Sequence, residues 1–304
     1  MQRIVANVRE EDYSKLEALL ESRLPKSGML HNVMRLTQSL KTGNKISVKF
    51  YTDNRCQELW SSDSGGTMMG VINILGLPRN IIVFSGPPTG STQETVAALL
   101  SVLDWSQELQ FEGVDTSISS ILVEVALKYG SVNQSDPIGL YYMTKEEALT
   151  ILSEKDQISI SNSNIRASSL HPSDAHLVQD RWPEKVDGYL EMLQASIELC
   201  SSGGVYIVDD VNESAPERLV SFAVALPFGS IHAFHTEPDQ RRKGFGKLTM
   251  KTLAKNIALA ERIPLVQIYK DNDNSKAINV GIGFKYSHKI FLITFRPNKA
   301  ELIV

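Results

Sequence analysis

Residues 229–260 read GSIHAFHTEPDQRRKGFGKLTMKTLAKNIALA, and the fold turns on how this stretch is read. The run Ile231–Thr236 is apolar and β-branched, which predicts a short strand. From about Gly246 onward, Met250, Leu253, Ala254 and Ile257 recur at i, i+3, i+4 and i+7, the spacing of an amphipathic helix. Lys247, Lys251 and Lys255 follow at i, i+4 and i+8 on a second, solvated face. Between strand and helix lie Arg241, Arg242, Lys243, Gly244, Phe245 and Gly246. Glycines allow the backbone to approach a ligand closely. A helix N-terminus adds unpaired N–H groups and a partial positive charge. The combination suits a pyrophosphate, and it equally suits a tight strand-to-helix turn dressed with surface cations. These residues alone leave both readings open.

The rest of the chain narrows the choice. Its 304 residues are enough for one large or two ordinary domains, and 42% hydrophobic residues can build real cores. A net charge of −4 argues against general nucleic-acid binding, which needs a basic surface. Cys56 and Cys200 form no CxxC pair and predict two free thiols in a reducing compartment. Six His and two Cys show no zinc-like spacing, so no metal is expected. The first 24 residues carry charges throughout and lack the apolar core of a secretory signal. The longest apolar stretch, 68–77, is too short to span a bilayer. A soluble, cytoplasmic protein is expected, with a mitochondrial location left open.

Before the opening stretch, periodicity predicts a helix at 10–24, strands at 45–51 and 80–85, a helix from a Ser91–Glu94 capping box to about 109, a helix at 117–129 and a strand at 139–143. A second capping box, Thr144–Glu147, opens a short helix. The loop 86–92 has the glycines and hydroxyls of a phosphate loop but lacks its Lys. Residues 154–163 are polar and read as a linker. The pattern then restarts: a strand at 165–170, helices at 173–181 and 184–200, strands at 205–209, 219–226 and 231–236, the long helix, a strand at 265–270, a helix at 275–280 and a strand pair within 284–295. This β-α-α-β-β-β-α-β-α-β order predicts a mixed α/β sheet rather than an alternating Rossmann fold. No sequence repeat relates the two halves.

With strand, loop and helix in this order, the C-terminal half resembles the GNAT acyltransferase superfamily. Its Gln/Arg-x-x-Gly-x-Gly/Ala signature is met by Arg241, Gly244 and Gly246. A second block, Asn-x-x-Ser/Ala-x-x-Leu-Tyr-x-x-x-Gly-Phe, is matched in spacing by Asn272, Ser275, Ile278, Gly283 and Phe284. A narrower likeness is to the glycine N-acyltransferase-like family, through Leu170, Ala175, Val178 and Trp182, and through Leu219–Phe222 with 229–238. The resemblance implies an α/β (α+β mixed sheet) protein of tandem GNAT-like domains. A degenerate N-terminal domain would cover 1–155, a linker 156–163, and a complete acyl-CoA-binding domain 164–304.

That resemblance further implies acyl-CoA or acetyl-CoA as co-substrate and an amine or amino acid such as glycine as acceptor. Nucleic acid, membrane and metal would play no part, and the oligomeric state stays open. The pantetheine arm would lie between the strands at 231–236 and 265–270, along Ala233, Phe234, His235 and Thr236. The pyrophosphate would rest on Arg241, Arg242, Lys243, Gly244, Phe245 and Gly246, with Asn272, Ser275 and Asn279 completing the cofactor site. In glycine N-acyltransferases a Glu early on the first strand is the base. Ser230 stands there, and His232, on the same face by strand alternation, is the candidate substitute, with His235 facing the other way. Many GNATs use a Tyr acid where this chain has Asn279, and Tyr286 is a remote substitute. Two further readings are a catalytically weak acyl-CoA-binding or sensing protein and a protein N-acetyltransferase.

Overall fold

A computed structural model describes residues 5–40, 45–53, 66–87, 91–154, 156, 164–182, 188–208 and 217–298. Cys56, most of the expected linker at 154–163 and the centre of the 86–92 loop lie outside these residues. The chain forms two compact units, Met1–Leu140 with Ser287–Val304, and Tyr141–Tyr286.

The first unit runs β1 (Val5–Asn7), α1 (Tyr13–Ser22), α2 (Gly28–Ser39), β2 (Ile46–Asp53), β3 (Met68–Ile74), β4 (Arg79–Ser85), α3 (Gln93–Leu100), β5 (Glu108–Asp115), α4 (Thr116–Ala126) and β6 (Gly130–Gln134). Its sheet is ordered β1-β2-β3-β4-β5, antiparallel except for the parallel pair β4–β5. The helix expected from 91 to 109 stops at Leu100, and β5 follows. Its cap is Thr92, whose hydroxyl accepts from the Thr95 amide at 3.3 Å, while the Ser91 hydroxyl instead accepts from Thr67 at 2.6 Å.

β7 (Ile138–Tyr142) reaches the second unit at Tyr141. There follow α5 (Lys145–Leu149), β8 (Ile165–Ser168), α6 (Ala175–Arg181), α7 (Tyr189–Leu199), β9 (Ser202–Ile207), β10 (Arg218–Ala225), β11 (Ile231–Thr236), α8 (Phe245–Leu259), β12 (Leu265–Tyr269) and α9 (Asp273–Gly281). The Thr144–Glu147 capping box forms as read. From β8 on, the order repeats that of the first unit, β-α-α-β-β-β-α-β-α, although no sequence repeat is visible. The strand pair expected within 284–295 is a single strand, β13 (Lys285–Pro297), with no turn residues to break it. From Ile290 onward it pairs with β5, and further along with β6, and from Ser287 on it belongs to the first unit.

The second unit's sheet is ordered β7-β12-β11-β10-β9-β8, and α8 covers one face. Met250, Leu253, Ala254 and Ile257 are buried against Ala223, Ala225, Ile231, Val266 and Ile268, the apolar stripe predicted from spacing. Lys251 is not simply solvated: its Nζ sits 2.7 Å from Asp156. The helix lies on the sheet closely because β9 has glycine at 203. A Cβ there would stand 2.8 Å from Thr249 O and 2.9 Å from Leu253 N.

Candidate functional site

Two features of β11 shape the site. The first is its junction with β12. The two strands run parallel, yet their register is a single pair, Ile231↔Val266. Past that pair the two strands share no further ladder pairs, and strands that part in this way can take an extended chain of amides between them. The equivalent parallel pair of the first unit is closed, with five consecutive pairs from Arg79↔Glu108 to Val83↔Glu112.

The second feature is a bulge. Phe222 pairs with His235 and Val224 with His232, so one residue of β10 faces two of β11. Ala233 takes up the slack with a φ of 50°, unusual for a residue with a Cβ. Directly paired residues share a face. The bulge therefore brings His235 to the face of His232, where strict alternation had placed it on the other side. The ring contacts agree: His235 stacks on Phe222 at 5.5 Å and His232 meets Phe228 edge-on at 5.2 Å. Thr236 points towards α8. Its hydroxyl lies 2.9 Å from that of Ser221, which accepts from Thr249 at 2.8 Å and donates to His235 O at 3.1 Å.

β11 then passes through Pro238–Gln240 into the loop. Arg241 Nε donates to Thr236 O at 3.1 Å, and Lys243 Nζ to Gln240 Oε1 at 2.9 Å. Arg242 and Gly244 have positive φ, 63° and 89°. Gly244 is the N-cap of α8 and lends no side chain to its amides. The first helical bond is Leu248 N–H to Gly244 O, so the amides ahead of Leu248 have no intrahelical acceptor. Gly246 lies against β11: a Cβ there would be 3.1 Å from Phe234 Cζ and 3.2 Å from Thr236 Oγ1. The loop thus presents cations and free N–H donors at a helix N-terminus, beside the point where β11 and β12 part.

The side chains at the expected proton-transfer positions are engaged. Ser230 is buried and its Oγ accepts from Gln267 Nε2 at 3.1 Å. Gln267 was missed from sequence, although it is the one polar residue in LVQIY. His232 Nε2 is buried without a hydrogen-bond partner, and burial pushes the imidazole down to about 4. His235 Nε2 is also buried without a partner, 4.0 Å from Glu237 Oε2, which Arg181 Nε holds through Oε1 at 2.8 Å. Burial lowers the His235 pKa, Glu237 opposes this, and Arg241 and Arg181 add to it. In α9 the Asn272 side chain accepts from the Ser275 amide at 3.0 Å and caps the helix. Asn279 is fully buried and donates to Ser275 O at 2.8 Å and Ser275 Oγ at 3.2 Å. Tyr286 packs edge-on against Tyr141.

The half-buried, neutral His232, whose Nε2 is shut away from solvent, makes stability pH-dependent. Its folded pKa lies below the unfolded value of about 6.5, so the unfolded chain binds more protons between those values. The stabilisation is complete above about pH 6.5 and is lost as pH falls towards 4. After allowance for its partial exposure, we expect a loss of about 2 kcal/mol in urea melts across that window. His232→Gln should flatten the slope.

A family model of FR47-like proteins matches residues 211–292, a span that includes β10, β11, α8, β12, α9 and the first part of β13 through Leu292. A Drosophila protein solved by structural genomics superposes over 98% of this chain and 100% of its own, with a TM-score of 0.73 at 18% identity. A tandem GNAT protein from the clavulanic acid biosynthesis pathway, solved without acetyl-CoA, covers 98% of this chain and 99% of its own, with a TM-score of 0.51 at 10% identity. The fold is a tandem GNAT fold. The GNAT arrangement also recurs in a GCN5-related glucosamine N-acetyltransferase region of a fungal β-N-acetylglucosaminidase, with 96% of this chain and 38% of that one covered, a TM-score of 0.50 and 12% identity. No curated protein matches the chain. No helix among the described residues is long and apolar enough to cross a membrane.

Proposed function

We propose that the chain is an acyl-CoA-dependent N-acyltransferase that passes an acyl group from CoA to the amine of a small molecule or amino acid. The observation that carries this reading is the single-pair junction of β11 and β12, opening beside the Arg241–Gly246 loop. The pantetheine amides add between the splayed strands β11 and β12, and the pyrophosphate takes the loop amides and cations. Ala233, Phe234, His235 and Thr236 then line the thioester, and a backbone N–H of the bulged strand polarises its carbonyl. Asn272, Ser275 and Asn279 support the far side by holding α9 in place. The first unit, whose parallel pair is closed, serves as a partner domain and not as a second cofactor site.

Direct attack needs a neutral amine, and an alkyl amine with a pKa of roughly 10 is mostly protonated at pH 7. Ser230 is no base and is tied to Gln267. His232 and His235 share one face of β11, and both are neutral at pH 7. His232, next to the junction, accepts a hydrogen bond from the attacking amine. His235, with Glu237 behind it, receives the proton. The thiolate leaves without an acid at Asn279, since a thiol of pKa roughly 8.5 is a fair leaving group.

The test is release of CoA thiol across a panel of amines and amino acids. His232→Ala should lower turnover about 100-fold, the size of loss expected when the attacking amine is no longer oriented towards the thioester, while leaving acyl-CoA binding intact. Activity should rise with pH as the acceptor amine deprotonates, without a plateau near 6.5 from His232. A second reading, an acyl-CoA-binding or sensing protein with little turnover, is favoured by Ser230 and Asn279, whose hydrogen bonds are turned inward. Acyl-CoA binding with no thiol release from any amine would select it. A protein N-acetyltransferase would instead require release with peptide acceptors alone.

A further inference from the structure

Outside the GNAT site, α1 and α2 of the first unit hold a second constellation. Glu17 and Glu21 stand at i, i+4 on one face of α1, and His31 faces them from α2. One potential ligand atom from each residue lies within 4.8 Å of the other two. His31 is 4% exposed, yet neither ring nitrogen has a hydrogen-bond partner. Its Nε2 is aimed at Glu21, 3.6 Å from Oε1. A buried imidazole with both nitrogens unsatisfied is costly.

We propose that Glu17, Glu21 and His31 bind a divalent transition-metal ion, with water completing the shell, and that the ion staples α1 to α2. A proton on His31 would add a cation close to Arg35 and is opposed by burial, although Glu21 and Glu17 favour it. A divalent ion takes the Nε2 lone pair and neutralises both carboxylates together. One imidazole with two carboxylates suits Zn²⁺ and similar ions, whereas Mg²⁺ and Ca²⁺ take oxygen donors. Zinc bonds of about 2.0–2.2 Å need the ligand atoms to close to within ~4 Å of one another. Glu21 can supply that movement, since its side chain is 57% exposed. Glu17 is already oriented: Arg35 Nη1 donates to its Oε1, and Gln38 Nε2 to its Oε2 at 2.7 Å. The metal displaces Gln38 and leaves Arg35 as an outer support of the carboxylate. Spacing of His and Cys alone predicted no metal because the set is completed by carboxylates.

The test titrates the full chain, stripped with EDTA, with ZnCl₂ in a calorimeter, alongside Glu21→Gln and His31→Asn. Wild type should bind one Zn²⁺ and melt at a higher temperature with it, reversibly to EDTA, and MgCl₂ should do neither. Glu21→Gln, at an exposed position, should melt like wild type in EDTA yet bind Zn²⁺ at least ~10-fold more weakly. His31→Asn should lose the site. Absence of Zn²⁺ binding overturns the proposal, as does equal binding by wild type and Glu21→Gln, which would mark an adventitious ion only.

Discussion

Gly246→Val is expected to weaken acyl-CoA binding by about 1000-fold, roughly 4 kcal/mol, while the protein stays folded. The first atom of the new side chain already falls 3.1 Å from Phe234 Cζ and 3.2 Å from Thr236 Oγ1, and valine adds two methyl groups beyond it. Phe234 is a half-buried side chain and can turn away, so the fold survives. The close approach of the α8 N-terminus to β11 does not. Under the proposed function, that approach lets one ligand meet the loop amides and the open strand edge together. Binding by calorimetry and a thermal melt of the same sample separate loss of the site from loss of the fold. Gly244→Ala is a milder companion: nothing crowds its Cβ, but a φ of 89° strains any side chain, by about 1–2 kcal/mol.

Gly203→Val is expected to destabilise the protein by about 4 kcal/mol, with α8 displaced from the sheet. Here the obstacles are backbone atoms, Thr249 O at 2.8 Å and Leu253 N at 2.9 Å, in the middle of the helix. Neither side yields readily. β9 is held by β8 on one edge and β10 on the other, with Gly203 paired to Ala223. The helix is fixed by its buried stripe, and overpacking of this kind lies at the severe end of single substitutions. Gly204 gives the internal contrast. A Cβ there points to the opposite face and meets only side-chain tips, Leu170 Cδ2 at 2.7 Å and Leu219 Cδ1 at 3.0 Å. Gly204→Ala should therefore cost clearly less in a denaturant melt than Gly203→Ala.

The second unit was legible because its signals are local. The apolar stripe of α8, the glycines of the loop and the Thr144–Glu147 cap each sit within a few residues, and each appears where the spacing put it. The bulge at Ala233 carries no such signal. A positive φ usually asks for glycine or asparagine, and the register shift that imposes it comes from β10, ten residues upstream. It reversed the expected direction of His235 and put two imidazoles on one face. Gln267 as partner of Ser230 depends on the β11–β12 crossover. In the first unit the expected elements do not include β1, α2, β3 or β6, and the helix expected to about 109 runs into the start of β5. The stretch 91–115 is apolar through both a helix and a strand, and periodicity does not separate them there. The strand pair expected within 284–295 is one strand because its pairing partners, β5 and β6, lie over 150 residues earlier and leave no local trace.

Under the proposed function, acyl-CoA binds where β11 and β12 part, with its pyrophosphate on the Arg241–Gly246 loop. Calorimetric titration of the full chain with acetyl-CoA and longer acyl-CoAs, run beside Gly246→Val, tests it most directly. One site per chain, lost in the variant, is the expected result. Failure of every acyl-CoA to bind, or undiminished binding by Gly246→Val, would contradict it.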